Sequence, residues 1–217
     1  MSLTFYCLSG SPFSWKVWLS LERKQIAYDL EMLSADAGDL KSPRFLALNP
    51  RGKVPTIVDE GFVLSESAAI VDYLEERYPE SGASLWPGEV RARALARKAA
   101  IEGDSFIYPS VRKLVEECVM RKDGDPDACV VADAKAALAS ELARLATSIK
   151  EPFIAGPEPS AADFTIYPFL AVLRRLAARR PEHRVGEVVP GALSSWIGRV
   201  EALPYFEKTT PPHWRKT

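Results

Sequence analysis

Cysteine and histidine are scarce. Cys7, Cys118 and Cys129 are the only cysteines among 217 residues, and no two of them form a C-x-x-C pair. That odd, dispersed set excludes a disulfide-built scaffold. With only two histidines, His183 and His213, no zinc site is expected. Neither charge is in excess: 28 Lys+Arg against 29 Asp+Glu leave a formal charge of -1. No global positive field draws the chain to nucleic acid or to an acidic membrane surface. No run of about 18 apolar residues is available to span a bilayer. Met1-Ser2-Leu3-Thr4-Phe5-Tyr6 lacks the basic start and long apolar stretch of a signal peptide. A Gly-rich phosphate loop, a Ser/His/Asp order and a metal-ligand cluster are also missing. The expected setting is a reducing cytoplasm, with small molecules and proteins as partners.

What is present suffices for a core. Hydrophobic residues make up 47% and charged residues 26%, the ordinary globular range. The length allows one large domain or two small ones. Residues 2–8 read as a strand stopped by Ser9-Gly10-Ser11-Pro12. Residues 12–24 carry Phe13, Val17 and Leu21 at helical spacing, and 26–33 alternate as a second strand. A short helix is expected at 42–48, then the turn Asn49-Pro50-Arg51-Gly52, strands at 54–59 and 62–64, and a helix from Ser65 to about Arg77. The order βαβαββα makes residues 1–78 a small α/β domain. After a linker at 79–88 the strand signal ends. Residues 89–217 read as all helix, with stretches near 89–122, 127–149, 160–180 and 191–203.

Several motifs support two readings each. Ser11-Pro12 is a helix start, with Ser as N-cap and Pro at the first position. The same geometry puts a hydroxyl at the positive end of a helix dipole, where an anion is stabilised. In Val54-Pro55-Thr56 the proline either opens an edge strand in trans or forms a cis turn. The cis turn leaves the Val54 main chain unpaired, able to take an extended peptide as if adding a strand. In Ser65-Glu66-Ser67, Ser65 caps and Glu66 complements the dipole. Alternatively, Ser67 holds a carboxylate while Glu66 takes an ammonium group. Ser160-Ala161-Ala162-Asp163 is a capping box with Asp in the usual Glu position. The arginines at 174, 175, 179, 180 and 184 read as a solvated helix end.

In their order these segments resemble the cytosolic glutathione transferases over nearly the whole chain. The strongest stretches are Asn49 to Ile57, Leu64 to Ile70 and Ser160 to Asp163. Ser11-Pro12-Phe13-Ser14-Trp15-Lys16-Val17 is similar to the serine-type classes, zeta and tau in particular. The resemblance implies an α/β thioredoxin-like N-terminal domain that binds glutathione, plus an all-α C-terminal domain walling the second substrate. It implies that Ser11 holds the glutathione thiolate and that Val54, beside cis-Pro55, pairs with the cysteinyl main chain. Glu66 and Ser67 would hold the γ-glutamyl end, with Lys41 and Lys53 near the glycyl carboxylate. Phe13, Phe106 and Tyr108 are candidates for the second-substrate wall. Ser14, Tyr6 and Cys7 are the other candidates for the sulfur's partner, Cys7 reading as a core thiol. Trp18 stands where related sequences carry an arginine, and Phe13 where the zeta class carries a cysteine, which disfavours a maleylacetoacetate-type isomerase. The activity implied is transfer of the glutathione thiolate to small apolar electrophiles, a detoxifying conjugation by a homodimer. No metal or prosthetic group is implied, glutathione entering as co-substrate. A non-catalytic binding or regulatory protein is the alternative from another class, and a zeta-type isomerase the other enzymic one.

Overall fold

The computed structural model describes residues 3–215. They form two compact units, one of residues up to Leu85 together with those from Pro204 onward, the other Trp86–Leu203. Residues 204–215, which the sequence pattern assigns to the helical domain, thus pack with the α/β unit.

In the first unit β1 (Leu3–Leu8) pairs parallel with β2 (Asp29–Leu33) and antiparallel with β3 (Thr56–Asp59). β3 pairs antiparallel with β4 (Phe62–Ser65), giving the order β2-β1-β3-β4. α1 (Pro12–Arg23) makes the crossover from β1 to β2, α2 (Pro43–Leu48) follows, and α3 (Ser67–Arg77) comes after β4. α1 and α3 pack on each other, burying Val17, Leu19 and Leu21 with Ile70 and Leu74. Each such side chain is worth roughly 1.5–3 kcal/mol on burial. A half-buried ion pair joins the C-cap of α1 to α3, Lys24 Nζ to Glu75 Oε2 at 2.9 Å. Burial raises the Glu75 pKa, but donors from Ser84, the Leu85 N–H and Lys24 outweigh it and hold the carboxyl below its usual range.

β2 begins at Asp29, not at 26 as the alternation suggests. Gln25 takes φ +52°. Its N–H donates to the Glu22 carbonyl, and the Ile26 N–H donates to Leu21. This is a Schellman closure of α1, so Ile26 serves the helix end instead of a strand. Trp18 packs as expected, edge-on to Phe5, and its indole donates to the Tyr28 hydroxyl at 2.6 Å. α9 (Phe206–Thr209) lies against α1, where the Trp15 indole donates to Thr209 Oγ1 at 3.0 Å.

The second unit holds α4 (Val90–Glu102), α5 (Tyr108–Val115), α6 (Ala128–Ser148), α7 (Ala161–Arg179) and α8 (Leu193–Glu201). The single helix expected at 89–122 is interrupted by π-helical turns at Gly103–Ile107 and Glu116–Met120. A side chain at Gly103 would bring its Cβ within 2.7 Å of Ile166. α4 and α7 approach there as only glycine allows. α7 is buried on every side from Ala161 to Ala171, the pattern of a central helix.

The capping-box carboxylate organises that centre. Fully buried Asp163 accepts from the Ser160 N–H and Oγ, the Ile154 N–H and the Trp196 indole, at 2.8–2.9 Å. Asp163→Ala would leave four donors buried without an acceptor, costing at least about 3 kcal/mol. Chemical denaturation should show that loss. A decrease under about 1 kcal/mol would mean that water takes over the carboxylate's role.

Candidate active site

Sheet register brings the predicted segments to one end of the first unit. Tyr6 pairs with Thr56, and Thr56 with Ser65. The end of β1, the start of β3 and the end of β4 are therefore level. α1 and α3 both begin at that end, each presenting N–H groups and the positive end of its dipole.

Ser11 caps α1, its Oγ accepting from the Ser14 N–H at 3.3 Å. Among the described residues nothing accepts the Ser11 hydroxyl proton. Capping uses the oxygen's lone pair and leaves its donor available. Ser14 stands differently. It is buried, and its Oγ accepts from the Leu8 N–H at 3.4 Å, so it braces the turn from below. Tyr6 is buried in β1 with its ring 5.9 Å from that of Phe45. Cys7 directs its thiol to Met32 Sδ at 3.4 Å, and burial pushes its pKa up to about 12. It is a core thiol, the reverse of a nucleophile.

The Val54–Pro55 peptide bond is cis. Among the described residues no hydrogen bond engages the Val54 N–H or C=O. The loop before it is held by buried Asn49, a residue legible in the sequence only as a turn signal. Its Nδ2 donates to the Lys53 carbonyl at 2.7 Å and to Thr56 Oγ1 at 3.2 Å, while its Oδ1 accepts from the Arg51 N–H. Gly52, at φ +59°, lies so close to Leu40 that a Cβ would meet its carbonyl at 2.7 Å. That contact brings the residues preceding Lys41 and Lys53 together. Both lysines are exposed.

At the third segment the structure corrects the expected cap. Ser65 is the last residue of β4, and Glu66 takes the N-cap position of α3 with no side-chain cap bond. Glu66 holds φ +71°, a strained conformation for a residue with a Cβ, which costs of order 1–3 kcal/mol. Its side chain is exposed, while Ser67 beneath it is buried. Phe13 is half-buried, with Lys16 Nζ over its ring at 5.5 Å. Phe106 and Tyr108 belong to the second unit, Phe106 within the first π turn and Tyr108 just after it. Phe106 is 54% exposed, and Tyr108 stacks on Phe169 at 5.1 Å.

Residues 10–77 match the family model for the glutathione S-transferase N-terminal domain. Glutathione S-transferase 3 of Zea mays is 32% identical over 213 residues, covering 95% of this chain and 92% of its own. The chain belongs to the glutathione S-transferase family. A crystal structure of a glutathione S-transferase from the Antarctic clam Laternula elliptica superposes with a TM-score of 0.83 at 31% identity, over 100% of this chain and 95% of that one. Over a shorter span, a maleylacetoacetate isomerase of Pseudomonas aeruginosa is 42% identical across 110 residues, 49% of this chain and 51% of its own. The thioredoxin-like unit with its four-stranded sheet and the helical unit are the fold of this enzyme family. Among the described residues of this transferase no helix is long and apolar enough to cross a membrane. No cluster of His, Cys, Asp and Glu among them could hold a metal.

Thiol chemistry gives a direct check on the discarded cysteine. Cys7 and Cys118 are buried and Cys129 is exposed, and burial raises the pKa of Cys118 as well. A thiol reagent at pH 8 should modify one cysteine per native transferase chain quickly, and Cys129→Ser should remove that phase. Fast modification of Cys7 would reopen it as a candidate nucleophile.

Proposed function

We propose that this transferase is of the serine type and conjugates glutathione to small apolar electrophiles. The observation that carries the reading is the row of unused hydrogen-bonding groups along one end of the sheet. The Ser11 hydroxyl proton, the Val54 main chain and the uncapped start of α3 lie in the order in which an extended tripeptide would meet them. Ser11 donates to the sulfur, and Val54 pairs with the cysteinyl peptide. Ser67 and the α3 N-terminus take the γ-glutamyl carboxylate, while Glu66 takes its ammonium group. Lys41 and Lys53 face the glycyl carboxylate.

The mechanism follows from charge. A free thiol titrates near ~8.5 and is mostly protonated at neutral pH. A hydroxyl donor at the positive end of α1 stabilises the thiolate over the thiol. The thiol proton passes to solvent. The sulfur lone pair then forms a C–S bond with the electrophile, whose displaced electrons leave with a departing anion or move onto an activating group. Phe13, half-buried at the start of α1, supplies apolar surface for that electrophile. Glutathione is a co-substrate, and no bound cofactor takes part in the step.

A second reading is an isomerase of the zeta type. The Pseudomonas aeruginosa maleylacetoacetate isomerase favours it through its 42% identity over 110 residues. Phe13 speaks against it, standing where the resemblance implies that the zeta class carries a cysteine. Turnover of maleylacetoacetate exceeding conjugation of every electrophile tried would reverse the preference. Glutathione binding with no turnover of either kind would make the chain a binding protein. The active form is proposed to be a homodimer, as the resemblance implies, and sedimentation should give twice the chain mass of 24.0 kDa at micromolar concentration.

Titrating the thiolate absorbance of bound glutathione separates Ser11 from Glu66. Ser11→Ala should raise the bound thiol's pKa by about one to two units, with little change in affinity. Turnover at neutral pH falls with the thiolate fraction. Losing the cap costs only about 1 kcal/mol of stability. Glu66→Gln should do the opposite, weakening binding about ten- to a hundred-fold while leaving the pKa in place. Equal titration curves for wild type and Ser11→Ala would make Ser11 a cap and nothing more.

A further inference from the structure

The turn that precedes Ser11 is not held by the α/β elements alone. Gly10 takes φ +84°, and a Cβ there would lie 3.1 Å from His213 Cε1 and 3.6 Å from Trp214 Nε1. The last described residues of the chain therefore rest on this turn. His213 Nδ1 is 2.6 Å from Ser9 Oγ, and His213 Nε2 is 2.8 Å from the Trp214 indole nitrogen. An indole N–H can only donate, so Nε2 must accept. The proton of the neutral imidazole then sits on Nδ1 and is donated to Ser9 Oγ. Trp214 stands edge-on to Trp15 of α1 at 5.5 Å. Trp15 is in turn tied to Thr209 through its indole. The contacts close a loop that runs from α1 through the tail and back to the turn before α1.

We propose that His213 is a positioning residue of the transfer reaction: by donating to Ser9 it fixes the Ser9-Gly10 turn, and with it the place of the Ser11 hydroxyl. The proposal rests on the reading of Ser11 as the sulfur's partner. The Ser11 N–H donates to the Leu8 carbonyl at 3.0 Å and closes the turn. His213 adds a side-chain hold at Ser9, beside a glycine whose backbone is otherwise permissive. Displacing a donor by even part of an ångström weakens a hydrogen bond aimed at an anion. His213 itself is exposed. Water competes for its bond to Ser9, so the effect should be smaller than that of removing Ser11.

The test compares wild type with Ser11→Ala, His213→Ala and His213→Asn by the thiolate absorbance of bound glutathione against pH. Kinetics with a saturating electrophile accompany it. Asparagine places an amide N–H where Nδ1 stands but has no counterpart of Nε2. His213→Ala should raise the bound thiol's pKa by roughly half a unit to one unit and lower kcat near neutral pH by about three- to ten-fold. KM for glutathione should stay nearly unchanged, and His213→Asn should restore most of the loss. A wild-type titration curve in His213→Ala overturns the proposal, whatever Ser11→Ala does. Equal defects in His213→Ala and His213→Asn overturn it too, leaving only packing by the ring. If Ser11→Ala alone is silent while His213→Ala shifts and His213→Asn recovers, the hold of His213 on the turn stands but its action through the Ser11 hydroxyl is overturned. In that case the reading of Ser11 fails by itself.

Discussion

The register Tyr6–Thr56–Ser65 is the constraint on which the candidate site depends. Three segments far apart in sequence become neighbours because their strands stop at one level. A slip of one residue between β1 and β3 would turn buried Ile57 away from the core. It would also carry Val54 out of line with Ser11. The burial of the central strands thus fixes where Ser11, Val54 and the start of α3 stand. Asn49 adds the local brace, joining both ends of the loop between α2 and β3.

The two units treat polar groups in opposite ways. In the helical unit Asp163 is saturated, every donor around it having its acceptor. Such a closed network specifies one packing and does no chemistry. In the α/β unit, polar groups near the surface are left with capacity. Ser11 caps with its oxygen and keeps its proton, and α3 starts without a side-chain cap. The positive φ of Glu66 belongs with that second pattern. A glycine would sit there more easily, and the proposed bond to a ligand's ammonium group is what would offset the strain of Glu66.

Much of this was legible because local rules and tertiary structure agree. The apolar and aromatic run of β1, the turn at Asn49 to Gly52 and the apolar spacing of α1 and α3 each point to the element that forms. The site was readable only as a set, since Ser11-Pro12 and Ser65-Glu66-Ser67 are both ordinary helix starts when taken singly. What sequence reading missed was decided by backbone geometry or by distant contacts. Ile26 matches a strand pattern, but the left-handed Gln25 before it commits it to a helix closure. Ser65 matches a cap, yet its pairing with Thr56 claims it for the sheet. The π turn that contains Phe106 begins at Gly103, which packs against Ile166, and no local pattern signals that. The tail's place on α1 rests on pairs such as Trp15 with Thr209, which no window along the chain can connect.

That last pairing also sets an order of events during synthesis. Trp15 and Thr209 are 194 positions apart, so at about 5–20 residues per second a ribosome makes one some 10–40 s before the other. Strands, crossover helix and α3 have all emerged by then, and the helical unit is largely made. Throughout that interval the indole of Trp15 has no Thr209 to receive its proton. The α/β unit, first to be translated, is the last to be completed.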